Sequence, residues 1–190
     1  MSTAPSPVSL APTTAVTEPV VPAQPGPSYF LLLPGIPGSG TLAAFAGQIP
    51  LLTWGWGVDS SGSVLGPAGS GAGSGSGSGK ATPQDVAIRA RTGIQSPKLL
   101  AAVNTGHHVQ SAVLTCVRPG DRPFTFLTLT FEDVLPSSYY VTPDAKDGFP
   151  VDQVRFKFAK VTQKVFTQNA DGSAGQPVTT SFDYRTNRVA

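Results

Sequence analysis

The residues of this chain that could do chemistry are few and badly placed for it. Cys116 is the only cysteine among 190 residues, which excludes an internal disulfide and any cysteine-based metal cluster. It lies inside an apolar alternation and reads as a buried structural thiol, not a nucleophile. His107 and His108 are adjacent, with no Asp, Glu or Cys at ligand spacing, so they make a poor metal site. They read as loop positions with one ring hydrogen-bonded to backbone. Glu132 and Asp133 are neighbours at a predicted strand end; they point to opposite faces and cannot act as an acid–base pair. They read as solvated or interface charges. Lys80 follows the glycine-rich run Gly66–Gly79, but Ala81, Thr82 and Pro83 come next, which is no phosphate-cradling loop. Trp54 and Trp56 alternate with glycine and suit core or subunit-contact packing better than a nucleobase platform. No serine or cysteine sits in a nucleophile motif. The inventory of catalytic, cofactor-binding and metal-ligating residues is empty, and the chain reads as a non-enzyme.

The elements around these residues suggest a scaffold. Apolar residues make up 39% and charged residues only 13% of the chain, with 21 Gly and 19 Pro. That balance argues for many turns and against a helical bundle. All thirteen basic residues lie from Lys80 onward, interspersed with acids, so no nucleic-acid stripe is present. Residues 1–27 carry seven prolines, no basic leader and no continuous apolar core. They read as a disordered, partly polyproline-like arm and not as a secretory signal. No stretch approaches membrane-spanning length, so membrane insertion is not expected.

From Ser28 onward the pattern is mostly strand. Tyr29–Leu33 is a short apolar run stopped by Pro34-Gly35, followed by a turn-rich loop whose one apolar anchor is Ile36. Gln48–Val58 reads as a single longer strand, with Trp54, Trp56 and Val58 on one face. Gly55 and Gly57 lie opposite, where a neighbouring backbone could approach closely. Gln84–Arg91 alternates, with Val86, Ile88 and Ala90 on one side. Ser96 as N-cap, Pro97 at the first helical position and Gly106 at the C-terminal cap frame the one convincing helix. It must dock Leu99, Leu100 and Val103. Ala112–Arg118, Phe124–Phe131, Leu135–Val141, a strand from Val154 towards Phe166, and Val178–Tyr184 follow, with a turn at Asn169-Ala170-Asp171-Gly172.

Gly66–Gly79 holds seven glycines in fourteen residues and by composition resembles an interdomain linker. Neither half of the chain could build a core alone, so the run is read instead as a loop, over 59–80, inside one domain spanning 28–190. The expected fold is mainly β: a closed or nearly closed antiparallel barrel with one short flanking helix.

Certain blocks carry a family resemblance. Pro34-Gly35-Ile36-Pro37-Gly38-Ser39 and Leu51-Leu52-Thr53-Trp54-Gly55-Trp56-Gly57-Val58 are similar to the opening of the hemolysin-coregulated protein (Hcp) family, the tube protein of type VI secretion systems. Lys80 with Gln84-Asp85, Ser96-Pro97-Lys98-Leu99-Leu100, Thr105-Gly106-His107-His108 and Ala112-Val113-Leu114-Thr115 continue the likeness in the same order. Phe131-Glu132-Asp133-Val134-Leu135, Ser137-Ser138, Phe158-Ala159-Lys160-Val161, Ala170-Asp171-Gly172, Gly175, Pro177-Val178 and Tyr184 complete it. Each block is weak alone; their order over about residues 29–189 makes the resemblance specific.

The resemblance implies homohexameric rings that stack into a hollow tube, assembled in the bacterial cytoplasm and then expelled without a cleaved signal peptide. It implies sheath, baseplate and spike proteins as partners and effector cargo in the lumen, with no cofactor. The low charge suits a chain whose surface is largely contact surface. A secreted adhesin or carrier module, with the Pro/Thr arm as a stalk, is the alternative on the same barrel. The 27-residue arm and the Gly/Ser loop are both longer than is usual in the family, so stacking could rest on another loop such as Asp144–Pro150. Because loop closure depends only weakly on length, shortening Gly69–Gly79 by about half is expected to leave the thermal unfolding midpoint unchanged. A collapse of that midpoint would restore the linker reading.

Overall fold

The computed structural model describes residues 26–60, 80–120, 123–170 and 172–190. Most of the expected N-terminal arm (1–25) and of the Gly/Ser run (61–79) lies outside the described residues, as does Asp171 of the expected turn.

The chain opens with β1 (Ser28–Leu32), whose Leu31 is buried. Pro34-Gly35 then reverses it, and the Ile36 amide donates to the Leu33 carbonyl at 3.0 Å. The loop beyond is closed by backbone: the Gly38 amide donates to the Gly47 carbonyl at 2.8 Å. A side chain at Gly38 would begin 2.3 Å from the Gln48 carbonyl oxygen, so this position needs glycine.

The predicted single strand Gln48–Val58 is three short ones: β2 (Ile49–Leu51), β3 (Thr53–Gly55) and β4 (Val58–Ser60). β2 pairs with β1, in register Tyr29↔Leu51. β3 leaves that partner for β6 (Val86–Arg91), in register Trp54↔Ile88. Between them the Leu52 amide donates to the Arg89 carbonyl at 2.8 Å, so the chain crosses from one neighbour to the next. β4 pairs with β5 (Ala81–Pro83), and these two strands flank the Gly/Ser run on either side. The apolar phase shifts with the crossing: Ile49 and Leu51 face inward before it, Trp54 after it. The close backbone approach expected at Gly55 and Gly57 is not seen. A methyl group on Gly55 would meet no atom within 4 Å, and one on Gly57 would touch only the Gln84 side chain.

The helix α1 (Ser96–Thr105) ends at Gly106 in the left-handed conformation, φ +62°, as its sequence predicts. Its start differs. Gln95 is the N-cap and Ser96 the first helical residue, because the Ser96 hydroxyl is occupied by the Gly93 amide and by Asp152. Leu99 and Ala102 form the docked face, whereas Leu100 is exposed.

After α1 come β7 (Val109–Arg118) and a single 20-residue strand, β8 (Phe124–Pro143), where two strands were expected. Asp133 takes φ +54° and Val134 resumes the ladder, so the polar Glu132-Asp133 pair bends the strand without ending it. β8 folds back on β9 (Pro150–Lys157) and β10 (Lys160–Val165) as one long hairpin, in register Tyr139↔Val154 near its tip and Phe131↔Val161 further down.

The barrel closes strand by strand. β8 pairs with β7, β7 with β1, β1 with β2; the chain crosses to β3, which pairs with β6, then β9, then β8 again. β11 (Val178–Asp183) and β12 (Arg188–Val189) extend the sheet outward from β10. The core is one cluster, with Leu114, Leu129, Phe131, Val134 and Ile88 fully enclosed and Leu99 of the helix among them. Phe156 is buried and Phe182 only half-buried. Phe156→Ala is therefore expected to cost about 3–5 kcal/mol in urea unfolding. Phe182→Ala should cost about 1–2 kcal/mol, in proportion to the smaller area it covers; equal losses would contradict the inward assignment of Phe156.

Candidate functional site: assembly surfaces

The most demanding electrostatic position is Asp152, a fully buried residue on β9. Its Oδ1 accepts from the Thr92 hydroxyl at 2.8 Å and the Tyr139 hydroxyl at 3.0 Å. Its Oδ2 accepts from the Ser96 hydroxyl and, at the 3.5 Å limit, from the Gln95 side-chain amide. All four donors are neutral. The carboxylate also sits at the first turn of α1, where the helix end favours negative charge. Burial raises the Tyr139 pKa, and the Asp152 carboxylate beside it raises it further. No reacting group completes a catalytic set here; the cluster is a clamp joining β8, β9 and the start of α1.

That clamp orients the tip of the long hairpin. Arg91 on β6 grips Asp147 in a two-pronged contact, with Nη1 to Oδ1 at 2.9 Å, and lies 3.8 Å from Asp144. Its guanidinium stacks over Phe149 at 5.9 Å. The hydrogen bond from Arg91 holds the Asp147 carboxyl below its ordinary range, and the same bond raises Arg91. Phe149 stays 65% exposed although Arg91 covers one side of its ring, and Ile94 nearby is 61% exposed. A second exposed apolar pair, Val178 and Val189, lies on the outermost strands β11 and β12.

The residues singled out in the sequence fall apart in space. Glu132 pairs with Lys160 at 3.1 Å, while Asp133 takes His108 at 3.0 Å and Arg185 at 3.4 Å. The His108 ring is thus held by a carboxylate and not by backbone, on an exposed surface. Trp54 packs edge-on to Tyr29, and Trp56 packs against Phe131 and Phe158. Cys116 is fully buried, and burial pushes its thiol up to about 11, the Trp54 side chain pulling slightly the other way. Among the described residues no group of three or more His, Cys, Asp or Glu could hold a metal ion. Among them, too, no helix is long and apolar enough to cross a membrane. Asp152 itself escaped sequence reading, because Thr92 and Ser96 lie 60 and 56 positions away in sequence and Tyr139 belongs to a different strand.

Comparison with known proteins decides the family. A family model described as "Type VI secretion system effector, Hcp" matches residues 30–165. This chain belongs to the Hcp family of type VI secretion. Solved structures share the fold. A structure described as that of a type six secretion system protein is 21% identical with a TM-score of 0.77, covering 86% of this chain and 99% of its own. Hcp1 from Salmonella typhimurium is 22% identical with a TM-score of 0.67, over 86% and 99%. A type VI secretion system effector from Yersinia pestis is 24% identical with a TM-score of 0.63, over 82% and 98%. A search of curated proteins finds no match. Members of the Hcp family are structural, secreted and self-associating proteins.

Two measurements test the interior. Asp152→Ala leaves three hydroxyls and an amide without their buried acceptor, and is expected to lower stability by about 3 kcal/mol. Cys116, Tyr139 and Tyr184 all have folded pKa values raised above their unfolded ones. Their contribution is fully present below the unfolded values and is lost as pH rises through the folded ones. Denaturant stability should therefore fall as pH rises from 9 towards about 11, and less steeply in Cys116→Ala. A flat profile over that range would contradict the assignment.

Proposed function

We propose that this chain is the tube subunit of a type VI secretion machine, forming homohexameric rings that stack into a hollow, non-enzymatic conduit. Sheath, baseplate and spike proteins would be its outer partners, and effectors its cargo; the subunit is made in the cytoplasm and expelled by the machine. The observation that carries this reading is the Hcp match over residues 30–165, which spans every strand of the closed barrel.

Two features of the surface support this reading. A head-to-tail ring uses two different patches of one subunit, and stacking uses a third. β12 covers only Phe182 and Asp183 of β11, which leaves the outer edge of Val178–Thr180 free among the described strands. An uncovered edge with exposed Val178 is suited to pairing with another subunit. The hairpin tip, with Phe149 and Ile94 braced by the Arg91–Asp147 contact, is suited to contact between rings.

The two surfaces predict separable defects. Val178→Lys should leave the monomer folded and abolish rings in analytical ultracentrifugation. Phe149→Asp should leave rings intact and abolish stacked particles in negative-stain micrographs. Normal rings from Val178→Lys, or loss of rings from Phe149→Asp, would refute the assignment of edge to ring and tip to stack.

A further inference from the structure

Gly55 poses a problem that the fold does not solve. It sits at the end of β3, where glycine costs more backbone freedom on folding than alanine would. Its φ is not positive, and a methyl group there would meet nothing within 4 Å. Nothing inside the subunit requires glycine at this position. Its absent side chain instead opens an outward-facing concavity of about 350 Å³ over β3, β6, β9 and the upper half of β8.

Two cross-strand rows build the concavity. One runs Gly55, Ala87, Arg155, Ser138, and the other Thr53, Arg89, Gln153, Tyr140. The small residues at the start of the first row form the floor. Its charge is positive and largely unanswered. Arg155 is exposed, with no carboxylate within 4 Å among the described residues. Arg89 reaches Asp144 only at 3.9 Å, and its Nε has no hydrogen-bond partner. The Ser138 hydroxyl is likewise buried and unpartnered. Such donors, with Tyr140 63% exposed above them, match a carboxylate in geometry and charge.

We propose that this groove is a docking site for an extended acidic segment of another protein. The rows are one strand deep and favour a peptide laid across them, and the unpaired Arg155 guanidinium beside the weakly paired Arg89 favours carboxylates. A second copy is poorly equipped to fill it. Every described Asp and Glu side chain already accepts a hydrogen bond or ion pair, from Asp59 with Gln84 to Asp183 with Arg185. A nucleic acid would need more cations than Arg155 and Arg89 to bind at physiological salt.

The probe is a fluorescein-labelled peptide of alternating valine and glutamate, titrated onto the full chain by fluorescence anisotropy, with a valine–glutamine peptide as control. The glutamate peptide should bind at least tenfold tighter than the control. Arg155→Glu and Gly55→Val should each weaken it at least tenfold, with circular dichroism unchanged; a Cβ at position 55 meets no atom within 4 Å. Equal binding of both peptides, or full binding by Gly55→Val, overturns the proposal. So does tighter binding of a single-stranded oligonucleotide with the same loss in Arg155→Glu, which would assign the groove to phosphates. If Gly55→Val prevents ring formation in ultracentrifugation, the occupant is a second copy. If binding is seen only after deletion of residues 1–25, it is the chain's own arm; either result also overturns the proposal. Ring formation by the unaltered chain is read separately, so failure of the tube reading is distinguishable from failure of the groove.

Discussion

A single buried carboxylate imposes order on the working end of this subunit. Asp152 is fully enclosed and has no cation beside it, so the cost of desolvating its charge must be met by hydrogen bonds. Hydroxyls from Thr92, Ser96 and Tyr139 meet it, together with the Gln95 amide. Those donors come from the turn before α1 and from the strand opposite. Their convergence therefore fixes the helix start against the long hairpin. Because Arg91, Asp147 and Phe149 sit just beyond, the same clamp sets the orientation of the hairpin tip.

The second constraint is closure. Seven strands, β8, β7, β1, β2, β3, β6 and β9, form a cycle that the chain itself joins between β2 and β3, bending where others would turn. Leu52 hands the chain from β1 to β6, and Asp133 lets β8 serve β7 below and β9 above. Among the described strands, β4–β5 and β11–β12 lie outside the cycle and carry edges of their own. A protein that must associate with copies of itself but not aggregate gains from this division. Its core is one enclosed cluster, and the edges of β11 and β12 stand apart from it.

Much of this was legible in the sequence, and the misses share a cause. The alternation of Val86, Ile88 and Ala90, the Gly106 stop and the Cys116 burial are local patterns, and the structure keeps them. Gln48–Val58 read as one strand because each half alternates; the phase slip between Leu51 and Trp54 was the available sign of a crossing. Glu132-Asp133 read as a strand end because polarity usually marks one, whereas the barrel's curvature needed a bend there. Ser96 has the right chemistry for an N-cap, but a distant carboxylate claimed its hydroxyl. Asp152 could not be found, since nothing local announces partners about 60 positions away in the chain. The assembly surfaces were the least legible, because an exposed valine or phenylalanine acquires meaning only once the strand edge or hairpin tip beneath it is known.

The central claim is that this barrel exists to be repeated. Cryo-electron microscopy of the purified full chain tests it most directly. The account predicts closed six-subunit rings, with the Val178 edge at the lateral contact and the Phe149 tip between stacked rings. A particle that remains monomeric at every concentration, or rings whose lateral contact leaves the β11 edge bare, would contradict it.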